Sequence, residues 1–221
     1  MKLGGGIKNN QALTMVELIV VIVVIGFACI MLLALLLPAL ARSKDGRMRI
    51  NCASNLKMTG LAFRIWEGDN GNRFPMQVYT NVSGAPLYLD SINAFRYFQV
   101  MSNELSDPKL LHCPEDKQRI PATNFTTDLN SSHISYFIGL DADETFPTRF
   151  LAGDSHLTTE TQFNAGSMLI PTNQVVSWTR ERHQGAGFVG MADGSVHQLS
   201  SSGLRQALRH TGLATNRLLM P

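Results

Sequence analysis

From Leu18 to Leu37 the chain reads LIVVIVVIGFACIMLLALLL, twenty consecutive residues with no charge and no strongly polar group. As a helix rising 1.5 Å per residue, such a run covers roughly the 30 Å of a bilayer's hydrocarbon core. A helix buried in a soluble core would normally keep one polar face, and this run has none. A cleaved secretory signal has an apolar stretch of only about 7–15 residues before its cleavage site, shorter than this run. The run therefore predicts a membrane-spanning helix. Mean hydropathy over the whole chain is +0.01, high for a soluble domain, and the excess sits in the N-terminal part.

The rest of the chain is organised around this run. Residues 1–12, MKLGGGIKNNQA, form a short Gly/Asn-rich leader, basic at Lys2 and Lys8. Residues 13–40 are expected to form the membrane helix, 41–69 its amphipathic continuation and 70–221 a globular head. Pro38 would kink a continuing helix or end it. The helix is expected to extend from near Leu13 to about Trp66, loosened around Pro38 and Gly46. Met48, Cys52, Leu56, Phe63 and Trp66 fall at spacings that share one helical face, while Arg47, Arg49, Lys57 and Arg64 lie largely elsewhere. GDNGN at 68–72 is a turn cluster that stops the helix.

Beyond Phe74, short apolar runs alternate with Gly, Pro, Asn and Asp. Strands are predicted over 133–140 and 174–178. GFVGMA, Asp193-Gly194 and SVHQL predict a hairpin whose two-residue turn needs positive φ at both central residues. A last helix is expected from a Ser201 or Ser202 cap through Leu204 and Leu208 to Gly212. Residues 74–132 carry no clear pattern. The fold class is α+β: a long N-terminal helix continuing into a small antiparallel-sheet head.

Several side chains could carry chemistry. A net charge of +2 gives no bulk attraction for nucleic acid. His112, His133, His156, His183 and His197 are scattered, and no HExxH, GxSxG or Cys/His metal spacing accompanies them. An anchored enzyme is thus a minor alternative. Tyr79, Tyr88, Tyr97 and Trp178 would suit a polymer-binding surface if exposed, and a core if buried. Asp141, Asp143 and Glu144, with Asp154 further on, offer the hard oxygen donors that suit Ca²⁺. Their D-A-D-E spacing lacks the full EF-hand loop, and a solvated acidic turn is the alternative. Cys29 lies in the apolar run. Cys52 and Cys113 would oxidise outside the cytoplasm and tie the helix to the loop before Pro114; two buried free thiols are the other possibility.

Ala12-Leu13-Thr14-Met15-Val16-Glu17-Leu18 places a carboxylate about one turn into an otherwise apolar helix. Such a group costs about 2.5–3.5 kcal/mol at the bilayer centre and less near the interface, so it calls for a functional partner. The segment resembles the type IV prepilin signature: a basic leader, a small residue, the scissile bond, an apolar residue, Thr, and Glu at the fifth mature position. On that resemblance cleavage falls between Ala12 and Leu13, and Glu17 is the signature Glu. Ala12 stands where the family usually has Gly, and Leu13 where it usually has Phe. NLKMTGLAFRIWEGDNGNRFPM at 55–76 and SYFIGLDADE at 135–144 are similar to segments of a broad bacterial group of such proteins. So is the stretch in which His183 is followed by nine residues and then Asp193-Gly194.

The resemblance implies a structural subunit, not a catalyst. A membrane aspartic peptidase would cut the leader on the cytoplasmic face and methylate the new N-terminus. An ATPase-driven assembly platform in the bacterial inner membrane would then stack the helices, with other pilin-like subunits, into a type II secretion pseudopilus or type IV pilus. The head would be periplasmic, and some pseudopilins bind Ca²⁺ there. The family's usual mechanism pairs Glu17 with the Leu13 amine of a neighbour. A minor subunit acting as a binding or adhesion module is the alternative. His183, Asp193 and Gly194 would have a structural role around the hairpin. Arg42, Lys44, Arg47 and Arg49 after the span outnumber Lys2 and Lys8 before it, so the positive-inside rule favours the opposite orientation. The signature, which has meaning only with the leader in the cytoplasm, sets the orientation here.

Overall fold

The computed structural model describes residues 14–78, 94–160 and 167–221. The fold is α+β, a long apolar N-terminal helix followed by a small antiparallel-sheet domain. The chain divides into two units, residues 1–46 and 47–221. Helix α1, Met15–Asp69, begins in the first and ends in the second. Within it, Met15–Leu37 is long and apolar enough to cross a membrane. The helix continues through Pro38 and Gly46, so Pro38 does not end it.

The head is built on the second half of α1. Cys52, Leu56, Phe63 and Trp66 are buried along one stripe, as their spacing predicts, while Met48 at its start is half-buried; Thr59 is buried as well. The Asn70-Gly71-Asn72 turn ends the helix, with the Asn70 and Asn72 amides both bonded to the Glu67 carbonyl. Two short helices follow, α2 at Ala94–Val100 and α3 at Ser102–Leu105. Phe98 of α2 meets Phe63 edge-on at 6.0 Å.

Among the described residues the head has eight strands: β1 (Tyr136–Gly139), β2 (Phe150–Asp154), β3 (Leu157–Thr159), β4 (Ser167–Pro171), β5 (Val176–Trp178), β6 (Ala186–Met191), β7 (Val196–Ser200) and β8 (Thr215–Leu219). Helix α4, Ser201–His210, lies between β7 and β8 and is capped by Ser200, whose hydroxyl accepts from the Gly203 amide. Six strands form one antiparallel sheet in the order β4-β8-β1-β2-β6-β7, and β3 pairs with β5 in a separate ribbon.

Both faces of the sheet are covered, so β1 and β2 are buried along their whole length. Alternation along the strands divides the side chains between two cores. Tyr136, Ile138 and Phe188 join the α1 stripe and α2. Phe137, Val189 and Leu218 face the other way, onto Leu204 and Leu208 of α4 and Trp178 of β5.

The hairpin β6–β7 forms where expected, but its connection differs. Met191 and Ser195 are bridged through the Met191 amide and the Ser195 carbonyl, and Gly194 alone has positive φ, at 80°. This is a three-residue connection closed by a glycine in the left-handed region. It leaves Asp193 in ordinary backbone, free to accept from the Ser195 amide through Oδ1 at 2.8 Å.

Close backbone approach makes Gly139 sensitive. A Cβ there would lie 1.8 Å from the Phe150 carbonyl oxygen, against 3.5 Å to the nearest atom at Gly203 in α4. Gly139→Ala is expected to destabilise the head by about 1–3 kcal/mol through overpacking. Gly203→Ala should be neutral or stabilising by up to about 1 kcal/mol. Urea unfolding midpoints of the two variants check this contrast.

Candidate functional site

A dense group of chemically active side chains lies where the second half of α1 meets loops of the head. Cys52 and Cys113 are joined in a disulfide with Cα atoms 5.1 Å apart across a sequence separation of 61. The cross-link expected from the sequence is therefore present, and in the chain-entropy description a loop of this size contributes about 4 kcal/mol. It fixes α1 to the segment Cys113-Pro114-Glu115-Asp116, which carries two of the cluster's carboxylates.

His183 sits against the disulfide. Its Nε2 is 3.3 Å from Cys113 Sγ and 3.4 Å from Asp154 Oδ2. Its Nδ1 lies 3.2 Å from Glu115 Oε2, and the same oxygen accepts the His183 backbone N–H at 2.6 Å. A single carboxylate thus meets both the main chain and the ring of one residue. His183 and Gln184 reach this arrangement with φ of 51° and 58°, in the left-handed region that non-glycine residues rarely adopt. The bend feeds directly into β6, the position the sequence suggested for His183.

A second layer surrounds Arg182. Its guanidinium is 3.2 Å from Asp116 Oδ2 and donates to the Ser135 carbonyl and to Ser155 Oγ. Asp116 Oδ2 also accepts from Ser135 Oγ at 2.8 Å. Burial alone would push the Asp116 carboxyl up, but Arg182, the Ser135 hydroxyl and Arg119 outweigh it and hold it below the usual carboxylate range. Asp154 is different. It is fully buried, with the Phe188 amide on Oδ2 and Arg182 only at 4.0 Å from Oδ1, and burial raises its pKa to about 7. His156, its ring tilted against Trp178 with ring centres 5.0 Å apart, is lowered to about 3 by burial and by Arg182. His183 is also lowered, by burial first, with Glu115 opposing.

The other residues singled out by the sequence occupy separate places. Asp193 turns on Ser195, and the carboxylates facing His183 are Glu115 and Asp154. In the acidic loop, Asp141 accepts from the Arg217 amide and side chain, Asp143 from Thr145 and Gln77, and Glu144 from Arg64. Each of these carboxylates is engaged by a protein donor, and Asp154 lies apart from them beside His183. Tyr97 and Trp178 are core residues, while Tyr79 and Tyr88 lie outside the described residues. His112 bonds the Asp116 and Arg119 carbonyls, His133 faces Asp128, and His197 meets Ser195.

Ala12 and Leu13 also lie outside the described residues. Thr14 and Glu17 do not. Glu17 Oε2 accepts from the Thr14 amide at 2.8 Å and its hydroxyl at 2.9 Å, while Thr14 Oγ1 accepts from the Glu17 amide at 3.3 Å. This reciprocal capping box satisfies donors that the first turn of a helix otherwise leaves bare. The carboxylate at the head of the apolar run therefore has a defined local role.

The partners of His183 were not legible in the sequence. Glu115 and Asp116 come from the disulfide loop, Ser135 from the start of β1, Asp154 from the end of β2 and Arg182 from the segment before β6. Only the adjacency of Cys113 to Glu115-Asp116, and of Arg182 to His183, hints at the grouping. Compared with known protein families, curated proteins and solved structures, the chain gives no match.

The two buried groups with opposite shifts give a pH signature. Asp154, raised to about 7, stabilises the fold fully below about pH 4, and that contribution is lost as pH rises through 7. His156, lowered to about 3, contributes fully above about pH 6.5 and loses its contribution as pH falls toward 3. Between pH 5 and 8 the trends oppose each other. Asp154→Asn removes one and leaves the other, so the variant should gain roughly 2–3 kcal/mol relative to the parent chain as pH rises from 5 to 8. Urea unfolding of both proteins at the two pH values tests this, and parallel profiles would contradict it.

Proposed function

We propose that this chain is a structural subunit of a pilin-like filament, a type II secretion pseudopilus or a type IV pilus. On this reading it is cut between Ala12 and Leu13 by a prepilin peptidase and is anchored in the bacterial inner membrane with its head in the periplasm. The observation that carries the reading is Glu17, a carboxylate within the first turn of a helix whose next twenty residues are apolar, inside a segment with the prepilin pattern. A second observation supports it. The head buries one stripe of α1, but Ile50, Met58, Leu61 and Ile65, on the same half of the helix, are exposed by 46–69%. They follow one another at near-helical spacing and suit packing against helices of neighbouring subunits. The buried rings of Tyr97 and Trp178 fit a scaffold better than a polymer-binding surface.

The chemistry follows from the position of Glu17. Cleavage would leave the Leu13 α-amine, a cation at neutral pH, four residues from Glu17 and near the same membrane depth. In low dielectric each charge is costly alone, and the two attract far more strongly than in water. An incoming Glu17 meeting the amine of a neighbour would set axial register among apolar helices that otherwise slide. The capping bonds from Thr14 both fall on Oε2, so assembly would extend an existing hydrogen-bonded terminus. Prepilin peptidase, other pilin-like subunits and the inner-membrane assembly platform are the partners implied.

Glu17→Gln and Glu17→Ala should still insert and still be cleaved, yet enter filaments poorly. Removing one member of a buried ion pair costs about 3–5 kcal/mol, so incorporation should fall by more than about tenfold. Shear-fraction immunoblots against total membrane protein measure this. Incorporation of Glu17→Ala at the parent rate would refute the role. Leu61→Asp should keep the unfolding midpoint of the head and also reduce incorporation; normal incorporation would remove the exposed stripe from the interface.

A further inference from the structure

We propose that Cys52, Cys113 and His183 form a Zn²⁺ site in the reduced chain, with Asp154 supplying the nearest oxygen donor. One ligand atom from each of the first three residues lies within 4.8 Å of the other two, and all three residues are buried. The cross-link and the metal site are alternative states of the same residues: the sulfurs are bonded to each other when oxidised and free to bind a metal when reduced.

Four features of the geometry point to this. Two thiolates, an imidazole and a carboxylate are the donor types that Zn²⁺ selects, and burial is the setting of closed structural zinc sites. Around a tetrahedral zinc, with Zn–S near 2.3 Å and Zn–N near 2.0 Å, ligand atoms stand about 3.5–3.8 Å apart. Cys113 Sγ and His183 Nε2 are already 3.3 Å apart, and Asp154 Oδ2 is 3.4 Å from the same nitrogen. The far side of the ring faces a carboxylate. Glu115 Oε2 lies 3.2 Å from Nδ1 without the angle of a hydrogen bond, and a small turn of the ring would make it the proton acceptor that leaves Nε2 to the metal. Finally, a sulfur, a ring nitrogen and a carboxylate oxygen converge on one place in the interior, an arrangement of acceptors that a cation would bind together.

The conversion balances simply. A phosphine reductant and one water split the S–S bond: two electrons pass from phosphorus to the sulfurs, the phosphine oxide forms, and two thiols result. Zn²⁺ then takes both as thiolates and releases two protons. Hydrogen peroxide reverses this: it takes two electrons from the thiolates and, with two protons, leaves as two waters, so the disulfide re-forms, both sulfur ligands are lost and Zn²⁺ is released. The proposal is independent of the filament reading, since it concerns the head alone and would survive or fail without affecting it.

The test uses the full chain in detergent micelles, with Cys29→Ser to remove the remaining thiol. The protein is reduced with a phosphine, freed of it, and titrated with Zn²⁺ against a chromophoric chelator. The oxidised chain runs in parallel, and near-UV circular dichroism follows folding. The expected result is one Zn²⁺ bound per reduced chain and none per oxidised chain. Co²⁺ in place of zinc should give thiolate-to-metal charge-transfer and tetrahedral absorption bands. Glu115→Gln should weaken affinity by about 10–100-fold, as loss of an outer-shell partner does, and His183→Ala by more. A reduced chain that is unfolded without metal and refolds with Zn²⁺ also supports the site. A reduced chain that folds without taking up Zn²⁺, or stays unfolded in its presence, overturns it. Affinity unchanged by His183→Ala does the same.

Discussion

An apolar helix with no polar side imposes one condition on everything attached to it. From Met15 to Leu37 its side chains are turned outward, and residues such as Ile22, Phe27, Ile30 and Leu35 are more than half exposed. Water is a poor solvent for such a surface, and hydrocarbon a good one, because a helix bonds most of its backbone groups within itself. The head must then complete its own core with only the remainder of α1. It does so by burying the Cys52–Leu56–Phe63–Trp66 stripe against a sheet covered on its other face by α4 and the β3–β5 ribbon.

The disulfide and the polar cluster beside it hold that junction. Buried charges are costly to desolvate and are tolerated only where partners surround them. Arg182 has Asp116, Ser135 and Ser155 around it, and Glu115 meets both the amide and the ring of His183. The cluster draws on loops far apart in sequence, so it fixes several of them at once. Asp154 has the least compensation, and burial raises its proton affinity. The same convergence makes the junction a place where a thiol, imidazole and carboxylate chemistry can be asked about beyond its structural role.

How much of this could be read from the residues depends on how local the signal is. The apolar run, the α1 stripe, the Leu204–Leu208 helix and the β6–β7 hairpin each announce themselves within a short window, and all four are present. The redox compartment expected of an exported head leaves the Cys52–Cys113 cross-link open against two buried free thiols, and the structure has the cross-link. Strands β2, β3, β4 and β8 carry no clear signal for identifiable reasons. FLAGD is buried on both faces and so shows no alternation, LTT is only three residues long, SMLIP ends in proline, and TNRLL puts a polar residue, Asn216, at a buried position. The hairpin turn was misread because Asp-Gly alone does not distinguish a two-residue from a three-residue connection. The His183 cluster depends on pairings between distant segments, which no window of sequence displays. Asp154 shows this most clearly: by position it belonged with the acidic loop, and by register it stands opposite Tyr136 beside His183.

The proposed identity of the chain rests on what happens at its N-terminus. The most direct measurement is intact-mass and N-terminal peptide mass spectrometry of the chain recovered from inner membranes, after co-expression with a prepilin peptidase and beside a control prepilin. The account predicts a chain that begins at Leu13 with a methylated α-amine and lacks residues 1–12. A chain that keeps Met1–Ala12 while the control is processed would contradict it.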